Sequence, residues 1–127
     1  ELPVRGIATR GWAGRSQSLG IADAVTVLAR TAAAADVAAT LVANAVDADH
    51  PAIIRRPACN LDDDSDLGDR LVTVDVGDID GAAMETALDA GECAAEAMRR
   101  GGLIEAAVLM LKGETRVVGQ TSCAVAA

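Results

Sequence analysis

Asp36 and Thr40 stand four residues apart in the alanine-rich run Ala35-Asp36-Val37-Ala38-Ala39-Thr40-Leu41. That spacing puts a carboxylate and a hydroxyl on one face of a helix. A hard cation such as Mg²⁺ takes carboxylate and neutral oxygen ligands and keeps part of its water shell, so the pair suits a metal. It equally suits an ordinary solvated helix face. A second constellation lies upstream, in Thr9-Arg10-Gly11-Trp12-Ala13-Gly14-Arg15-Ser16-Gln17-Ser18. Its glycines let backbone N–H groups point at an anion, its hydroxyls add donors, and two arginines add charge-assisted contacts. Thr9, Arg10, Gly11, Arg15, Ser16 and Ser18 are therefore the candidate ligand-binding residues, and Asp36 and Thr40 the candidate metal ligands. Gly- and Ser-rich composition is also common in plain hairpin loops.

Other groups carry less. His50, between Asp49 and Pro51 and three residues from Asp47, offers a base oriented by a carboxylate or an exposed linker histidine. Asp62, Asp64 and Asp66 mimic the first three ligands of an EF-hand loop, but Leu67 and Thr73 stand where the turn Gly and the bidentate Glu belong. No Walker pattern, dinucleotide fingerprint or nucleophile elbow is present.

The elements that must hold these residues are legible from periodicity. Residues 4–9 and 24–29 read as strands flanking the loop, and Ala24-Val-Thr-Val-Leu-Ala29 alternates clearly. Thr31 offers an N-cap for a helix over 32–46, with Val37, Ala38, Leu41, Val42, Ala45 and Val46 as its apolar stripe. Residues 47–69 read as loop, and 70–76 as a strand. Asp78 or Asp80 can cap a helix over 81–100, which ends in Arg99-Arg100-Gly101-Gly102. A hairpin follows, 104–111 and 115–119 around Lys112-Gly113-Glu114. The fold class is α+β: one antiparallel sheet with two main helices on one face.

Composition bounds the function. At 127 residues the chain is one domain, 1–127, with a 51% hydrophobic composition but no Phe, no Tyr and one Trp. Its core must be built from small aliphatics packed closely. A net charge of −8 and the shortage of aromatic rings argue against nucleic acid. Residues 1–30 carry four Arg against Glu1 and Asp23, net +2, while the remainder is acidic, so a small anion prefers this end. Cys59, Cys93 and Cys123 suggest no disulfide framework. No apolar run is long enough for a membrane helix, and a cytoplasmic setting is expected. Trp12 reads either as an anchor for its loop or as a stacking platform for a ligand.

These motifs resemble the ApbE-like superfamily, whose best-known members are FAD-dependent flavin transferases. Ala35, Asp36, Ala39 and Thr40 are similar to the transferases' metal-holding segment, which implies Mg²⁺ on Asp36 and Thr40 with FAD or FMN as ligand. The chain departs from the transferases at Thr9-Arg10-Gly11, where they carry Thr-Ser-Gly, and in lacking their His-x-x-Asp-Pro-x-Thr-Gly segment. Gly14-Arg15-Ser16-Gln17-Ser18-Leu19-Gly20-Ile21-Ala22-Asp23-Ala24 and the stretch 64–77 resemble more closely an uncharacterised family of the same superfamily. The resemblance implies a T-fold-like sheet. Because those relatives are longer and this sequence starts at Glu1, it also implies a C-terminal half or fragment, with a missing N-terminal half, a partner chain or a homo-oligomer completing it. Two functions follow as expectations: a metal-assisted flavin- or nucleotide-binding enzyme with FMN-transferase-like activity, or a non-catalytic ligand-binding or assembly module.

Overall fold

The computed structural model describes residues 4–13 and 17–119. Four strands, β1 (Gly6–Arg10), β2 (Ala24–Ala29), β5 (Ala106–Leu111) and β6 (Glu114–Gly119), form an antiparallel sheet in the order β1-β2-β5-β6. The alternation of side chains sorts its two faces. Val25, Val27 and Ala29 of β2, Ala107, Leu109 and Leu111 of β5, and Val118 of β6 are buried beneath the helices. α1 (Ala32–Ala45) packs on β1 and β2, α3 (Gly81–Arg100) packs on β5 and β6, and the two helices touch each other. Both therefore cover the same face, as the α+β reading requires. The opposite face presents Ile7, Thr9, Thr26, Val108, Met110 and Val117 in register.

Capping fixes where the helices begin. The Thr31 hydroxyl accepts the Ala34 N–H at 3.0 Å, opening α1 at the expected residue. For α3 the choice falls on Asp80, which accepts the Ala83 N–H at 2.7 Å. The apolar stripe of α1 is rotated from the one expected. Ala35, Ala38, Ala39, Val42 and Ala43 are buried, whereas Val37 and Leu41 point outward, 59% and 51% exposed. Close contact with both the sheet and α3 selects the smallest side chains for the interface, at the expense of the larger aliphatics.

The segment 47–69 is not loop throughout. It contains β3 (Ile53–Pro57) and a single turn of helix, α2 (Ala58–Leu61). β3 pairs antiparallel with β4 (Leu71–Val76), so the molecule has a second, two-stranded sheet, with a register irregularity between Ile54 and Arg55. Two prolines mask this strand in the sequence. Pro57 is tolerated because a two-stranded ribbon has only edge positions. The closing hairpin is tighter than expected: Lys112 and Gly113 alone make the turn, both at positive φ (50° and 86°), and Glu114 already belongs to β6.

Candidate anion site between the first strand and the first helix

Arg10 is the last residue of β1. Alternation along the strand turns Ala8 and Arg10 toward the helix layer and Ile7 and Thr9 away from it. Across the layer, Asp36 lies on the exposed flank of α1. The Arg10 guanidinium donates to Asp36 Oδ1 from Nε at 3.1 Å and from Nη2 at 2.6 Å. The pair is partly solvated, with side chains 29% and 53% exposed. Its net contribution to stability is therefore small, about 0–1 kcal/mol.

Asp36, Thr40 and Asn44 follow one another at a stride of four along this flank. The Thr40 hydroxyl donates back to the Asp36 carbonyl at 3.0 Å. Asn44 Oδ1 accepts the Leu19 N–H at 3.0 Å and the Ser18 hydroxyl at 3.3 Å. The Ser18 hydroxyl in turn accepts the Gly20 N–H at 3.2 Å. From the other side, the Thr73 N–H donates to Ser18 O (2.9 Å) and the buried Thr73 hydroxyl donates to Gly20 O (2.6 Å). Residues 17–20 are thus clamped between α1 and β4. Two glycines make the approach possible: a Cβ on Gly20 would stand 2.0 Å from Ala43 O, and one on Gly11 2.2 Å from Asp23 O.

A cleft of about 190 Å³ results, lined by Arg10, Gly11, Gln17, Ser18, Thr40, Ala43 and Asn44. Drug-sized ligands occupy roughly 300–1,000 Å³. This space is smaller than that and takes only a small group or one end of a larger molecule. Gln17 also lines a second, wider groove of about 910 Å³, with Trp12, Leu61, Asp62, Asp64, Asp66, Val72 and Val74 among its walls.

The structure brings together Arg10, Gly11, Ser18 and Thr40, with Asp36 held by Arg10. Thr9 is placed elsewhere: its hydroxyl is hydrogen-bonded to that of Thr26 at 2.9 Å on the opposite sheet face, so strand alternation separates it from the cleft. Arg15 and Ser16 lie outside the described residues. Asn44 and Gln17 were missed. The signal for Asn44 was present, since it continues the stride that singled out Asp36 and Thr40.

Trp12 acts as an anchor: its indole N–H donates to Asp23 Oδ1 at 3.2 Å, Asp23 Oδ2 accepts the Lys112 N–H at 2.7 Å, and the ring packs on the core. His50 serves a turn, its Nδ1 accepting the Ala52 N–H at 3.0 Å, while Asp47 is paired with Arg55 rather than with His50. In the acidic run, Asp62 Oδ1 accepts the Asp64 N–H at 3.0 Å, and the Ser65 hydroxyl donates to Gln17 Oε1 at 2.6 Å. This ties the run to the wall that both cavities share.

As a resident metal site the donor set fits poorly. Mg²⁺ demands near-octahedral oxygen coordination. Here the one carboxylate of the pair already carries a guanidinium, and among the described residues no group of three His, Cys, Asp or Glu side chains converges. Likewise among the described residues, no helix is long and apolar enough to cross a membrane.

An antiparallel sheet with two helices on one face defines the class, an α+β domain, and a small cleft walled by an arginine and helix-borne oxygens lies between its first strand and first helix. The family model described as AbpE bacteria matches residues 1–117, and the chain belongs to that family. The family's name is close to, though not the same as, that of the ApbE-like superfamily. Neither the curated proteins nor the solved structures include a match.

Proposed function

We propose that the domain binds the phosphate or carboxylate end of a small organic anion, a flavin or nucleotide phosphate being the leading class, in the cleft between β1 and α1. The T-fold-like sheet and the ApbE-like affinity that the sequence motifs imply belong to the same reading. One observation carries it: Arg10, Gly11, Gln17 and Ser18 from the strand end and its loop share a single cleft with Thr40 and Asn44 of α1. Arg10 supplies charge, Asn44 and Thr73 hold the Ser18–Gly20 backbone in place, and Gly11 lets the backbone come close. What such a site does chemically is to stabilise negative charge on oxygen. Ser18 is engaged by Asn44 and Gly20, and His50 by Ala52, which favours binding over FMN transfer. The wider groove beside Trp12 would take the body of the ligand.

Mg²⁺ on Asp36 and Thr40 is the other source of positive charge, and Arg10's hold on Asp36 favours the guanidinium. The test is a fluorescence titration with FMN, read at Trp12, the one tryptophan in the sequence. Saturable quenching that weakens at least tenfold in Arg10→Ala supports the reading, and an unchanged signal in folded protein refutes it.

A second reading, an assembly module, is favoured by the outward sheet face, where Ile7 is 67% exposed, Val117 52% and Met110 45%. Sedimentation velocity tests it: a concentration-dependent dimer abolished by Ile7→Lys supports assembly, and a monomer at all concentrations refutes self-association.

A further inference from the structure

We infer that Arg10 is the site's built-in cation: its guanidinium occupies the place beside Asp36 that a divalent metal would need, so the cleft takes its anion without a metal. This rests on the anion-binding reading, which it deepens. The geometry is specific. Arg10 sits at the end of β1 on the helix-facing side, and both Nε and Nη2 point at Asp36 Oδ1, at 3.1 and 2.6 Å. Thr40, the other oxygen of the pair, lines the same cleft as Arg10. Asp36 itself is not part of the cleft wall, but it is bonded to Arg10, which is. An anion held by Arg10 therefore has a second negative group across the guanidinium, and two such groups repel unless a cation lies between them.

A guanidinium does this without recruiting an ion, because it is a permanent, planar cation that bonds carboxylate and phosphate oxygens alike. A metal at Asp36 would have to displace that guanidinium or sit beside it, against like charge. The two cations therefore compete for one carboxylate, and the one built into the chain is always present. The Asp36 carboxylate then acts as a positioning residue, holding the arginine at the mouth of the cleft.

The experiment has two arms. In the first, Mn²⁺ alone is titrated into the full chain and followed by electron paramagnetic resonance. Wild type and Asp36→Ala are expected to bind it equally. Arg10→Ser, which removes the charge and leaves a neutral oxygen, is expected to gain a site at least tenfold tighter than Arg10→Ser/Asp36→Ala. Wild-type binding that is lost in Asp36→Ala, or no gain in Arg10→Ser, overturns the inference whatever the ligand is. In the second arm, FMN binding is measured calorimetrically in EDTA and in Mg²⁺. Equal affinity within about twofold supports the built-in cation. Binding to wild type only with Mg²⁺ overturns it while leaving the anion site standing. No binding in either condition removes the anion site, and the inference with it.

Discussion

Arg10 and Asp36, 26 residues apart in sequence, meet at 2.6 Å across the junction of the first strand and the first helix. Each is placed by a different rule. Strand alternation turns Arg10 inward, and the helical period puts Asp36 on the flank it shares with Thr40 and Asn44. Because the pair is half in solvent, it adds little to the stability of the fold, and in the proposed site its part is to place a positive group.

Arg10→Ala and Asp36→Ala are accordingly expected to cost less than about 1 kcal/mol each in chemical denaturation. A loss several times larger would mean the pair is structural.

Asn44 separates support from electrostatics. Its Oδ1 accepts from both Leu19 and Ser18, so Asn44→Ala should destabilise by about 1–3 kcal/mol and weaken FMN binding. Asn44→Asp keeps the acceptor and adds a negative charge to the cleft wall. It should retain most of the stability, measured by denaturant midpoint, yet weaken FMN at least as much as Asn44→Ala does. Tighter binding in Asn44→Asp would be incompatible with an anion site.

The clamp from β4 is tested by Thr73→Val. The hydroxyl donates to Gly20 O in a buried setting, and its removal should cost about 1–3 kcal/mol because the carbonyl loses its partner. Gly20→Ala attacks the same junction sterically, with a Cβ at 2.0 Å from Ala43 O, and should cost a further, comparable amount by overpacking. Unfolding by urea reads both. If either variant is as stable as wild type, residues 17–20 are not held as described.

The pH behaviour of α3 gives an independent check. The hydrogen bond from Arg99 holds the Glu96 carboxyl down to about 2, below its usual 4.5, with Arg100 adding to the effect. A carboxyl whose pKa is lower folded than unfolded contributes stability above about 4.5, and that contribution is lost as pH falls toward 2. NMR titration of Glu96 should show the depressed midpoint, and Arg99→Ala should raise it. A midpoint near 4.5 in wild type would refute the pair.

Much of the fold was legible because it rests on local signals. Thr31 and one of two aspartates announced the helix starts, and Val25 and Val27 announced the second strand by alternation. β3 was not legible: Pro51 and Pro57 read as breakers, and only pairing with β4, distant in sequence, makes a strand of Ile53–Pro57. The α1 stripe was misjudged because hydrophobicity favours Leu41 and Val37, whereas close packing favours alanine. In the site, helical stride located Asp36 and Thr40, and the same stride reached Asn44. Thr9 was grouped with Arg10 by proximity in sequence, although adjacent strand residues face opposite ways. The Arg10–Asp36 contact itself depends on how α1 crosses β1, which no local pattern encodes.

The most direct measurement is calorimetric titration of FMN into wild type and Arg10→Ala in EDTA. The account expects saturable binding to wild type and at least tenfold weaker binding to the variant. Equal affinity in the two proteins would contradict it.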